Sequence, residues 1–213
     1  MKYKGLLFDL DGVIVDTAKY HYMAWKQIAD ELGIKFTEED NERLKGVSRV
    51  RSFEIILEIG NVTMSEDLQE FYREKKNQIY VEYISNLGKE EILPGVREFL
   101  ETSKQQGYKI ALGSASKNSM IILERLGLVD LFDAIIDGTK VSKAKPDPEV
   151  FLRGAKELGL HPGECIVFED SVAGIKAARS GGMKAVGIGK EEVLPGADYY
   201  MLGFDGVTVD RIG

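Results

Sequence analysis

The chain has 213 residues, 44% hydrophobic and 30% charged, with 28 Lys and Arg against 35 Asp and Glu for a net charge of -7. That length accommodates one large domain or a core with a smaller companion, and the acidic balance excludes nucleic acid as the main partner, because a phosphate backbone needs a basic face. No stretch approaches the roughly 20 apolar residues of a membrane span, and the single Cys165 precludes an internal disulfide, so the expectation is a cytoplasmic protein acting as a monomer.

The first predicted element is a strand in KGLLFDL, and it runs straight into FDLDGVIVDT, where Asp9 and Asp11 stand two residues apart and Asp16 follows. Carboxylates held together without a partner disfavour each other's ionisation, so such a strand tip points to a use. From Thr17 to about Leu87 the pattern is helical, with no convincing strand. KYHYMAWKQIADELG carries Ala24, Ile28 and Leu32 at i, i+4 spacing, and SRVRSFEIILEIG carries Phe53, Ile56 and Leu57. SEDLQEFYREKKNQIYVEYI carries Leu68, Phe71, Tyr72, Ile79 and Tyr83, with Ser48 and Ser65 placed as N-caps. Beyond this segment the strands YKIALGS, FDAIID, ECIVFED and MKAVGIG alternate with the helices PGVREFLETSKQQG, KNSMIILERLG, PDPEVFLRGAKELG and SVAGIKAARSGG. Each helix ends at or near a glycine suited to the left-handed C′ position. Apolar runs this dense suit parallel strands buried on both faces. The pattern predicts an α/β fold, a doubly wound, mainly parallel Rossmann-like sheet of residues 1–16 and 88–213, with an inserted all-helical cap at 17–87.

Ligands of open α/β sheets bind outside the carboxyl ends of the strands, and polar residues gather there. Asp9 and Asp11 end the first strand, Ser114-Ala115-Ser116 end KIALG, Lys145 stands in KAKPDPE, and CIVF leads into Glu169-Asp170-Ser171. Singly, each has a plain structural reading. Asp11-Gly12 is a turn, Ser116 and Ser171 cap the helices that follow, Lys145 is a solvated lysine, and Pro148 opens a helix after Asp147. Cys165 reads as a small buried hydrophobe and His161 as a loop residue. These readings leave the coincidence of four motifs on one sheet unexplained. Asp9, Glu169 and Asp170 are hard oxygen ligands suited to Mg²⁺, which takes one or two carboxylates plus substrate phosphate and removes the repulsion between them. Ser114, the amides after it and Lys145 can hold the equatorial oxygens of a transferring phosphoryl group. One aspartate can then attack phosphorus while the other handles protons.

In this order the four motifs resemble those of the haloacid dehalogenase-like phosphotransferases. The resemblance implies that Asp9 is the phosphoryl acceptor, that Asp11 is the general acid/base and binds Mg²⁺ through its backbone carbonyl, and that a helical cap closes over the site. DLDGVIVDTAKYHYMAW, LKGVSR, KKN and GSASKN are similar more narrowly to the β-phosphoglucomutase subfamily. That likeness implies interconversion of β-glucose 1-phosphate and glucose 6-phosphate through a bisphosphate intermediate. By matching position, Arg49 would hold the non-transferring phosphate with Ser116, Lys117 and Asn118, beside Ala115. Lys45, Gly46, Val47, Ser48, Trp25 and Lys76 would line the sugar cleft, while Thr17 and His21 would couple cap closure to Asp11. Arg49 offers a bidentate fork, and SKN opens a predicted helix whose amides favour anions. A phosphosugar and a sugar bisphosphate are the expected partners, and Mg²⁺ the expected cofactor. The alternative is a Mg²⁺-dependent phosphatase of the same fold acting on a small sugar or nucleotide phosphate. A more remote one is a phospho-accepting signalling receiver, against which the long helical insertion speaks. GFDGVTVDRIG carries no pattern for the long closing helix common in the family, which leaves the last element undefined.

Overall fold

The computed structural model of the chain describes residues 3–45 and 47–211, so Gly46, assigned above to the sugar cleft, lies outside the described residues. Six strands form one parallel sheet: β1 (Gly5–Phe8), β2 (Lys109–Gly113), β3 (Ala134–Ile136), β4 (Cys165–Glu169), β5 (Lys184–Ile188) and β6 (Tyr199–Met201). Their order is β3-β2-β1-β4-β5-β6. Central β1 pairs Gly5–Phe8 with Lys109–Leu112 on one side and with Cys165–Phe168 on the other. The chain builds outward from β1 to β3, then returns to the centre with β4 and builds the other way. This reversal between β1 and β4 is the switch point at which doubly wound sheets bind ligands.

Side chains alternate across a strand, and here both faces are covered. Leu6, Phe8, Ile110, Leu112 and Phe168 pack with α5 (Val96–Gln105) and α6 (Ser119–Leu126) through Phe99, Ile122 and Leu126. Leu7, Ala111 and Val167 pack instead with α7 (Glu149–Glu157) and α8 (Val172–Ser180) through Phe151 and Ile175. Helices α5 to α8 run out, as expected, into glycines of positive φ, Gly107, Gly127, Gly159 and Gly182. Strand β6 was not foreseen, because the short half-buried edge Tyr199–Met201 lacks the dense apolar run of the inner strands.

Residues between β1 and β2 fold into α1 (Ala18–Glu31), α2 (Glu38–Glu42), α3 (Arg49–Gly60) and α4 (Glu66–Ser85). The unforeseen α2 is short but strongly started, by a capping box between Thr37 and Asp40. Ser48 caps α3 by accepting from Arg51 N at 3.2 Å, whereas Ser65 occupies the cap position of α4 without a side-chain bond. Trp25, Ile28, Phe36, Phe53 and Ile56 form a core belonging to these helices. The apolar stripe expected on α4 is only partly inward: Leu68 and Phe71 are 44% and 56% exposed. The buried face of α4 is Arg73, Lys76, Tyr80 and Ile84: the first three line a cavity rich in charged side chains, and Ile84 packs in the apolar core.

Residues after β6 complete the core. Phe204 lies 5.0 Å from Phe99 and 5.7 Å from Phe168, in the cluster where Phe8 stacks on Phe168 at 4.6 Å. Truncating a buried aromatic removes its burial and leaves a cavity, so Phe204→Ala is expected to destabilise the fold by about 3–5 kcal/mol in denaturant titration. A loss under about 1 kcal/mol would mean that this segment packs on the core without supporting it.

Candidate active site

The carboxyl ends of β1 and β4 set two acidic turns side by side. Asp9 N still donates to Phe168 O at 3.0 Å, continuing the ladder by one residue, and the chain then turns at Gly12 with φ of 81°. A Cβ at Gly12 would collide with the Asp170 carboxylate, so glycine is required both for the turn and for the approach of the two segments. Lys145 Nζ lies 2.6 Å from Asp9 Oδ1 and 2.6 Å from Glu169 Oε1, and all three side chains are buried. Far from being a solvated lysine, Lys145 joins β1 to β4, and its ammonium is held protonated by Asp9 and Glu169 against the effect of burial. Glu169 Oε2 accepts from Ser171 N and Oγ, each at 2.8 Å. Ser171 Oγ in turn accepts from Gly174 N at 3.1 Å, which starts α8 as expected.

Asp9, Glu169 and Asp170 each present an oxygen within 4.8 Å of the others. Burial pushes the Asp9 carboxyl up to about 7 against the pull of Lys145, with Glu169 and Asp11 pushing the same way. Burial, then Glu169 and Asp9, hold Asp170 well above the usual carboxylate range. Negative charge thus exceeds the one ammonium bonded to the cluster, and the donors are all hard oxygens. This set fits a divalent cation.

Beside the cluster, Ser114 N donates to Ile136 O at 2.9 Å, and Ser114 Oγ accepts from Ser116 N at 3.1 Å. Ser116 Oγ accepts from Asn118 N at 3.2 Å. Two hydroxyl-bonded turns therefore precede α6, which begins at Ser119 with Asn118 at its N-cap position. Ser116 does not cap that helix, and the SKN amides belong to the turns before it. Similarly, Pro148 is the N-cap residue of α7 and not its first residue, with Asp147 Oδ1 accepting from Glu149 N at 3.0 Å.

Asp11 is turned away from the carboxylate cluster. Its Oδ1 accepts from Thr17 Oγ1 and lies 3.6 Å from His21 Nε2. His21 Nδ1 is 2.9 Å from Lys76 Nζ, and the imidazole stacks on Tyr80 with centroids 4.0 Å apart. When Lys76 is an ammonium it only donates, so in that state Nδ1 accepts from Lys76 and the Nε2 proton faces Asp11. Burial raises Asp11, but His21, Thr17 and Lys76 outweigh it and leave the carboxyl below its usual range. Burial and then Arg49 push Lys76 down to about 7.

A second polar grouping completes the cavity. Arg49 Nη2 donates to Asn77 Oδ1 at 2.8 Å, and Asn118 Nδ2 donates to the same oxygen at 2.9 Å. Asn77 thereby ties α3, α4 and the turn before α6 together. The cavity measures about 460 Å³, and Asp9, Asp11, His21, Trp25, Lys76 and Asp170 line it. So do Lys45, Val47, Ser48 and Arg49 from the start of α3 and the loop before it, and Ala115, Ser116, Lys117 and Asn118 from the core side. Ser114, Lys145 and Glu169 are buried beneath that surface, and Thr17 is buried behind Asp11. Asn77 and Tyr80 escaped assignment although Asn77 follows Lys76 in KKN, and Tyr80 lies one turn beyond Lys76 on the same helix face.

Known proteins are similar to this chain in sequence and fold. The family model described as haloacid dehalogenase-like hydrolase matches residues 3–182. The β-phosphoglucomutase of Bacillus subtilis is 44% identical over 213 residues, covering 98% of this chain and 93% of its own. The phosphorylated carbohydrates phosphatase of Thermotoga maritima is 33% identical, covering 86% of this chain and 83% of its own. A crystal structure of β-phosphoglucomutase from Clostridium difficile superposes with a TM-score of 0.94 at 42% identity, over 99% of this chain and 95% of that one. Sheet order, carboxylate cluster and relatives agree, and the chain belongs to the haloacid dehalogenase-like hydrolase family.

Proposed function

We propose that this chain is a phosphosugar mutase that interconverts β-glucose 1-phosphate and glucose 6-phosphate through a sugar bisphosphate and an aspartyl-phosphate at Asp9. The observation that carries this reading is the second polar grouping, Arg49 with Asn77 and Asn118, in the same cavity as Asp9. A mutase must hold one phosphate while the other reacts; a phosphatase has no such need. The likeness to the β-phosphoglucomutases of Bacillus subtilis and Clostridium difficile supports the same assignment.

In this reading Lys145 fixes one oxygen of Asp9, which orients the carboxylate for attack on phosphorus. As the Asp9 oxygen bonds to phosphorus, the bond from phosphorus to the sugar oxygen breaks, and Asp11 gives that oxygen its proton. In the return direction Asp11 takes the proton from the attacking sugar hydroxyl. Thr17 and His21 hold the Asp11 carboxyl for that exchange. Ser114 and Lys145 lie beneath the phosphoryl position. Mg²⁺, held by Asp9, Glu169, Asp170 and the Asp11 carbonyl, would neutralise the carboxylates and the phosphoryl oxygens. Residues 17–87 act as the cap and 1–16 with 88–213 as the core, with Lys45, Val47, Ser48, Trp25 and Lys76 on the sugar. The working form is taken to be a cytoplasmic monomer: Cys165 is buried and calls for no oxidising compartment, and no helix of the described residues is long and apolar enough to cross a membrane.

The direct test supplies β-glucose 1-phosphate, a trace of the bisphosphate and Mg²⁺, and follows glucose 6-phosphate against free phosphate. Predominant free phosphate would favour a sugar phosphatase, as in the Thermotoga maritima relative. Asp9→Asn is expected to abolish both phosphoenzyme and turnover, and substantial activity in that variant would remove Asp9 as nucleophile. Replacing Asp11 by Asn should lower turnover by roughly 10²–10⁴-fold, the usual scale of general acid–base catalysis. Calorimetry should show metal affinity largely retained, since the expected ligand is the Asp11 carbonyl. Arg49→Ala deletes a charge-assisted contact to the second phosphate and is expected to raise the bisphosphate requirement by about 10-fold or more. Hydrolysis of a small activated ester should fall far less, and equal falls in both activities would make Arg49 a structural residue.

A further inference from the structure

One cation on the cavity face of α4 has no task in the chemistry above. Glu70, Arg73, Lys76, Asn77 and Tyr80 recur at helical spacing, and all line the cavity. Tyr80 and Lys76 belong to the His21 and Asp11 grouping, and Asn77 to that of Arg49 and Asn118. Arg73 comes one turn further out, roughly 6 Å along the helix axis from Asn77 at 1.5 Å per residue. Its side chain is only 5% exposed. Nη2 donates to Glu66 at 2.5 Å and to Glu70 at 2.6 Å, and Nε donates to Glu70 at 3.0 Å. Nη1 is buried and has no hydrogen-bond partner among the described residues. Buried N–H groups are normally satisfied, so an idle one on a residue of the cavity wall marks a place for an acceptor. Glu70 also lies within the field of the other cations. Arg73 first, and then Arg49 and Lys117, hold its carboxyl below the usual range.

We propose that Arg73 is a second guanidinium for the non-reacting phosphate, and that Glu70 holds its place until the phosphate arrives. The proposal rests on the mutase reading, which requires such a phosphate. Before the ligand binds, each arginine is matched by glutamates of α4, Arg49 by Glu74 at 3.4 Å and Arg73 by Glu66 and Glu70. All three glutamates are more than half exposed, so they swing into water at small cost, whereas Arg73 is enclosed. A phosphate brings several strong acceptor oxygens where a carboxylate brings two, and can accept from Arg49 and Arg73 together. Arg73 would thus select for a ligand with a second phosphate.

The alternative is a structural ion pair along the surface of α4, and the two differ in sign. Arg73→Gln and Glu70→Gln break the same pair, so a structural role moves both variants in the same direction. At an anion site the first removes an attraction and the second a competitor. Affinity for glucose 1,6-bisphosphate is measured by calorimetry with Mg²⁺, in full-length Asp9→Asn protein to prevent transfer. Arg73→Gln should weaken binding by about 10-fold, the scale of one charge-assisted hydrogen bond, while Glu70→Gln tightens it severalfold. Changes in the same direction, or no change from either while Arg49→Ala weakens binding, would overturn the proposal. Should Arg73→Gln fail to fold, Arg73→Lys keeps the charge without the fork, and with Glu70→Gln it supplies the same comparison of signs. Product analysis of the unsubstituted protein tests the mutase reading separately. Free phosphate in place of glucose 6-phosphate would refute that reading, while opposite signs would still assign Arg73 to a phosphate.

Discussion

The Lys145 ammonium, enclosed between Asp9 and Glu169, is the interaction on which the rest of the structure depends. Parallel β1 and β4 deliver three carboxylates to one spot, and burial makes Asp9 and Asp170 costly as anions. Breaking such a buried pair typically costs 3–5 kcal/mol, because an uncompensated charge is left behind. The second oxygen of Glu169 is tied by Ser171 to the first turn of α8. A Cβ at Gly174 would collide with that carboxylate, so the helix start is shaped around it. Strand, helix and lysine therefore fix one geometry, and Asp9 inherits it.

The opposite wall of the cavity is held more loosely. The two chain crossings between sheet and helical segment are stitched together, with Asp16 N donating to Glu91 O at 2.9 Å and Leu93 N to Ile14 O at 3.0 Å. Lys19 and Tyr20 both bond the Glu91 carboxylate, at 2.7 Å each. Away from these crossings, contact through the cavity is polar and runs through Asn77 and the His21–Asp11 approach. Asn77 Oδ1 accepts from both sides at once, which a phosphate oxygen can also do. Near the crossings Ala24, Tyr80 and Ile84 share one apolar cluster with Leu10, Ile14 and Ile122, so polar contacts that a ligand can replace are confined to the cavity side, as the proposed cap requires.

Much of this was legible in the sequence, for local reasons. Strands β1 to β5 are dense apolar runs, and their polar tips were found because the carboxyl ends of such strands share one edge. Strand β6 was missed because an edge strand of three half-buried residues carries no such signal. Leu68 and Phe71 misled because periodicity identifies a helix but not what its faces meet, and α4 faces a polar cavity. Ser116 was expected as a cap, yet its hydroxyl closes a turn, a competition among local bonds that spacing does not resolve. Asn77 and Arg73 were illegible for a different reason. Their roles come from Arg49 and Asn118, or from a cavity wall, supplied by distant parts of the chain. The receiver alternative falls with family membership, which the helical insertion had already disfavoured.

In the proposed mechanism the same core chemistry serves water and sugar hydroxyl alike, so the choice between them has to be made elsewhere in the cavity. Asp9, Lys145 and Asp11 do not distinguish one acceptor from the other. The desolvated cations of the helical segment can. Burial lowers both Lys76 and Arg49, Arg49 lowers Lys76 further as a neighbouring positive charge and Arg73 does the same to Arg49, so the cavity gathers positive charge that an anion would relieve. An anionic ligand with two phosphates relieves that strain at one end while presenting phosphorus to Asp9 at the other. The relief is available only when the helical wall and the core wall contact the same molecule. Binding free energy from the non-reacting phosphate is thereby coupled to excluding water from Asp9, which a ligand with one phosphate cannot do to the same degree.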